Sequence, residues 1–156
     1  MQTVEYEKWV LEVDRPATQA IYSDIPESGA VDCGCDDCLR FDEMRSILYP
    51  ASVLEVLDRL GVDPGKEVEV MSFGPDEDGR DIWNWWLLFV GRIKSGPDAA
   101  AQQGCLNYES VTDNFMIGFT EGISIPWAGF RDRAPLVQVE CHYYASTQAA
   151  TSAGAV

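Results

Sequence analysis

The stretch "DIWNWWLLFVGRI", residues 81–93, decides how the rest of the chain must be arranged. Trp83, Trp85, Leu87 and Phe89 fall at alternate positions, and Ile82, Trp86 and Leu88 fill the others, with Asn84 the polar exception. Strand side chains alternate between faces, so both faces of this strand are apolar. Such a strand belongs inside a sheet, with helices over one face and further cover on the other. The run is shorter than the roughly 20 apolar residues of a membrane span, and Asn84 interrupts it.

Working outward, Glu67 to Phe73 alternates and is joined to this strand by the polar loop 74–79, which has glycines at both ends. That pattern predicts a hairpin of 67–73 with 81–93 and makes Asp76, Glu77 and Asp78 a solvated tip. Downstream, Tyr108 to Phe119 and Ile123 to Trp127 supply one or two strands, and Leu136 to Tyr144 a final one. Upstream, Val4 to Val13 reads as one strand broken by Pro16. Residues 17–29 read as a connecting loop with about one helical turn. A helix follows over Asp37 to Tyr49, with Phe41, Met44, Ile47 and Leu48 on its stripe and Pro50 at its end. Ser52 and Glu55 form a capping-box pattern for a second helix. Val53, Leu57 and Leu60 share one face of it, and Gly61 closes it. Asp63-Pro64-Gly65 then makes a turn.

Strands in sequence joined by short turns favour antiparallel pairing. The expected fold is therefore α+β: a mainly antiparallel sheet of five or six strands with two consecutive helices packed on one face. The chain has 156 residues, enough for one domain over 1–145. The small-residue tail, 146–156, is expected to be poorly ordered.

The formal net charge is −15, from 26 acidic and 11 basic residues. Such a surface repels phosphate backbones and anionic lipid, which argues against nucleic-acid binding by a basic patch and against membrane association. A basic protein partner is electrostatically compatible. The N-terminus lacks the basic start and continuous apolar run of a signal peptide. A cytoplasmic location is expected, where cysteines stay reduced or hold metal.

"VDCGCDDCLRF", residues 31–41, holds three of the five cysteines, Cys33, Cys35 and Cys38. The spacing is C-x-C followed by C-x-x-C. A C-x-x-C turn directs two thiolates at one ion, and Gly34 allows the tight fold that brings a third. Zinc, bound by thiolates about 2.3 Å away in a tetrahedron, is the expected metal. Cys38 at a helix start gains from unpaired amides that favour a thiolate. The expected fourth ligand is Cys105, in a loop, or else His142, the chain's one histidine. Alternation along the last strand places His142 outward and Cys141 in the core. The competing reading is a thiol–disulfide oxidoreductase using Cys35 and Cys38. Asp32, Asp36 and Asp37 weigh against it, because neighbouring carboxylates disfavour a free thiolate. A third reading is a metal-free structural domain with a cysteine-braced loop. No nucleotide loop, nucleophile elbow or H-E-x-x-H occurs in the sequence.

Cys33-Gly-Cys-Asp-Asp-Cys38, the following helix pair, Leu60-Gly-Val-Asp-Pro64, Glu67-Val-Glu-Val70 and the Trp-rich strand together resemble a family of small uncharacterised bacterial proteins. Those have a C-x-C-x-x-C cluster before a helix and an L-G-I-D-P turn before a strand. The resemblance spans about residues 3 to 145. It implies that the cysteine cluster and helix pair belong to one fold, and it brings no activity with it. Leu39-Arg40 stands where many relatives have Arg-Asn. The leading expectation is a non-enzymatic protein-interaction module with a structural zinc or a cysteine-braced loop.

Overall fold

The computed structural model describes residues 1–100, 107–123 and 127–145. Its elements run β1 (Gln2–Tyr6), β2 (Trp9–Val13), α1 (Arg15–Asp24), α2 (Gly29–Cys33), α3 (Asp36–Leu48), α4 (Ala51–Leu60), β3 (Glu69–Pro75), β4 (Asp81–Ser95), β5 (Glu109–Thr112), β6 (Phe115–Thr120) and β7 (Leu136–Tyr144). The class is α+β, with seven strands in the order β1-β2-β4-β7-β6-β5 and β3 added on β4. Every pairing is antiparallel.

β4 is the axis of the sheet. β7 lies along one edge of it from Ile82 to Val90. On the other edge β3 pairs with its first half and β2 with Gly91 to Ser95. Between those two partners the backbone of Leu88 and Val90 faces no strand, and a buried unpaired amide or carbonyl is costly. Helix α1 fills the gap with side chains. The Tyr22 hydroxyl donates to Leu88 O at 2.8 Å and accepts from Leu88 N–H at 3.1 Å. Thr18 Oγ1 accepts from Val90 N–H at 3.0 Å.

The helices cover the face that carries Trp83, Trp85 and Leu87. Phe41 lies 5.0 Å from the Trp85 ring, and Trp85 Nε1 donates to the Tyr49 hydroxyl at 2.7 Å. Val53, Leu57 and Leu60 are fully buried on α4, as their spacing predicts. The sheet curls, so the β1–β2 tip reaches its far side: Trp9 meets Phe119 at 4.9 Å and Lys8 Nζ donates to Tyr108 O at 2.7 Å. Asp76 and Asp78 at the β3–β4 tip pair with Arg80.

Five expectations need correction. Val4 to Val13 is not one strand but two, turned at Glu7, which adopts φ 50°. Residues 17–29 are not mainly loop: they hold most of α1 and the start of α2. Asp14 caps α1 by accepting from Ala17 N–H at 3.1 Å, and Pro16 opens the helix where its missing N–H costs nothing. The second helix begins one residue before Ser52, so Pro50 takes the N-cap position and the Ser52–Glu55 box does not form. Ile123 and Trp127 lie outside any strand; 124–126 fall outside the described residues. Finally, Ile47 is 76% exposed, because the buried stripe of α3 runs Cys38, Phe41, Arg45 and Leu48. The tail expectation for 146–156 also falls outside the described residues.

Candidate metal centre

The site is built where one short helix ends and a longer one begins. Ser28 starts α2, its Oγ accepting from Val31 N–H at 3.2 Å. The helix ends on Cys33, and Gly34 closes it in the left-handed conformation at φ 68°. Cys35 then occupies the N-cap position of α3, and Cys38 lies in its first turn. The result is that the sulfurs of Cys33, Cys35 and Cys38 all lie within 4.8 Å of one another. The edge of a tetrahedral zinc–thiolate site is about 3.8 Å, so shifts of under about 1 Å gather them on one ion. Three thiol donors suit a thiophilic metal. Cys33 and Cys35 are exposed, whereas Cys38 is buried.

A buried ionic network holds this loop to the sheet. Glu67, fully buried just before β3, accepts from Arg45 Nε at 2.7 Å and Nη2 at 2.9 Å. Its other contacts run to α2: Oε1 accepts from Ala30 N–H at 3.1 Å, and its backbone carbonyl from Gly29 N–H at 2.8 Å. Arg45 also reaches Ser28 Oγ at 2.9 Å and Asp42 at 2.6 Å. Gly29 is required by this close docking, since a Cβ there would stand 2.1 Å from Val68 O. The anchor ties α2, α3 and β3 together immediately before the cysteines.

The thiols differ in acidity. Cys35 is held below the ordinary thiol value, first by the backbone N–H of Cys38, then by the Cys38 and Cys33 thiols. Cys38 is pushed up, first by burial and then by its two thiol neighbours. The neighbouring aspartates thus do not decide the matter for Cys35; the helix amide does.

His142 is not part of the three-cysteine group. It projects from the outward face of β7, beside Tyr108 and Glu140, with the rings of Tyr108 and His142 4.7 Å apart. Cys141 is fully buried in the core, with its thiol pushed up by burial. Cys105 lies outside the described residues. Sequence reasoning missed the Glu67–Arg45 anchor, because an arginine on a helix stripe and an acid heading a strand both read as surface. A cavity of about 300 Å³ lies on the other side of α2, lined by Asp24, Glu27 and Asp32 with Trp127 and Ile21. Among the described residues no helix is long and apolar enough to cross a membrane.

Comparison of the chain with protein-family models, curated proteins and solved structures finds no match.

Proposed function

We propose that this protein is a non-enzymatic bacterial cytoplasmic interaction module, in which Cys33, Cys35 and Cys38 hold a structural zinc ion and the acidic surface receives a basic protein partner. One observation carries the reading: α2 links the two features. Asp32 lines the acidic cavity, and the next residue, Cys33, opens the thiol group. A metal on the thiols therefore fixes one wall of the cavity. Three carboxylates beside the Trp127 ring suit a lysine or arginine side chain. The net charge of −15 favours encounter with a cationic partner.

The test is metal content of protein purified without chelator or affinity metal, beside Cys33→Ser. About one zinc per chain, lost in the variant together with stability, supports the reading. Freshly reduced protein without metal refutes it. Binding of an arginine-rich peptide that weakens in Asp24→Asn/Glu27→Gln/Asp32→Asn supports the partner assignment; unchanged binding overturns it.

A second reading, thiol–disulfide exchange, is favoured by the acidity difference between exposed Cys35 and buried Cys38. Cys35 thiolate would attack a substrate disulfide, and Cys38 would resolve the mixed disulfide. Alkylation separates the two. A metal site keeps its thiols protected until chelator is added; a redox pair reacts at once and forms a reversible disulfide.

A further inference from the structure

We propose that Asn84, Glu140 and His142 form a second metal site, for a divalent ion of the zinc class, on the sheet face turned away from the helices. The antiparallel register sets Asn84 opposite His142 and Trp86 opposite Glu140, so all four side chains share that face. They line a cavity of about 60 Å³, room for an ion and a water.

One acceptor of these residues has no partner. Asn84 Oδ1 is buried and accepts no hydrogen bond, alone in this among the buried side-chain polar atoms of the described residues. His142 Nε2 stands 3.9 Å from Glu140 Oε2. That gap is too long for a hydrogen bond, and the edge of a tetrahedral site with bonds of about 2.0–2.1 Å is about 3.4 Å, so a shift of about 0.5 Å brings both atoms onto a shared ion. Glu140 is oriented from behind, as a metal-binding carboxylate needs: the Tyr108 hydroxyl donates to Oε2, and Gln138 Nε2 donates to Oε1 at 2.9 Å. Residues carrying an anionic oxygen, an amide oxygen and an imidazole nitrogen thus line one space. The imidazole selects zinc, cobalt or nickel over calcium and magnesium.

The site is independent of the cysteine loop, and the experiment separates them. The chain has one histidine, so imidazole NMR signals report this site alone. Zn²⁺ is titrated into the full-length reduced protein while the imidazole nitrogens and thiol reactivity are followed in parallel. The imidazole signals should shift to a saturable end point at one equivalent beyond whatever the thiols take up. Asn84→Ala should weaken that step about tenfold or more. Asn84→Asp, which adds a charged oxygen, should tighten it, and stands in if the alanine variant does not fold. Imidazole signals that stay unmoved overturn the proposal. So does an affinity that is the same in Asn84→Asp as in the parent.

Discussion

Arg45→Met tests whether the buried anchor holds the cysteine loop in place. Methionine keeps an apolar stem against Phe41, whose ring lies 5.5 Å from the guanidinium carbon. It deletes both hydrogen bonds to Glu67 and those to Asp42 and Ser28. Glu67 is then a fully buried carboxylate left with the Ala30 N–H as its side-chain partner. Breaking a buried pair from one side costs about 3–5 kcal/mol. The Arg45 side chain is 13% exposed, so some water reaches the pair, and the low end, about 3 kcal/mol, applies. The partly exposed Asp42 contact adds little. For a chain of this size each kcal/mol moves Tm by about 2–4 °C, so the expected fall is about 6–12 °C. Urea unfolding should show a lower midpoint at unchanged slope. Adding Glu67→Gln removes the stranded charge and keeps an oxygen for Ala30 N–H, so the double variant should recover at least half of the loss. A single-variant loss below about 1 kcal/mol would refute the argument. A double variant no more stable than the single one would refute it too, since the cost would not come from an unpaired charge.

Tyr22→Phe removes the hydroxyl that serves both Leu88 N–H and Leu88 O, at the break between β2 and β3. Two buried backbone groups lose their partner, and the loss of stability should be about 2–4 kcal/mol by urea unfolding, against under about 0.5 kcal/mol if water replaces the hydroxyl freely. In reduced, metal-free protein, alkylation follows the thiolate fraction. Cys35, held low by the Cys38 N–H, should react at a pH where an ordinary thiol is still protonated, and Cys38, pushed up by burial, should lag until more alkaline pH. Peptide mapping after a short pulse at several pH values reads this order; equal modification of the two would contradict it.

Where local chemistry is decisive, the sequence is legible. Alternating tryptophans place β4 at the centre, the polar glycine-flanked loop makes the β3–β4 hairpin, and Gly61 closes α4 at φ 78°. Alternation along β7 puts Cys141 in the core and His142 on the opposite face of the sheet, where its side chain is only 18% exposed. The spacing of Cys33, Cys35 and Cys38, with Gly34 between the first two, is enough to bring their sulfurs together. Asp14 and Pro16 were a usable signal for α1, hidden by the weakly apolar run that follows. What only the tertiary structure decided are the places where a polar group is buried because a distant residue satisfies it. Arg45 lies on the buried stripe of α3 because Glu67, 22 residues away, meets its charge. Ile47 is turned out to solvent for the same reason. Tyr22 and Thr18 complete the backbone of β4 from 66 and 72 residues away. Asn84, Glu140 and His142 become neighbours only through the β4–β7 register. Periodicity reports the cost of burying a side chain alone; it is blind to a partner that arrives from elsewhere in the chain and removes that cost.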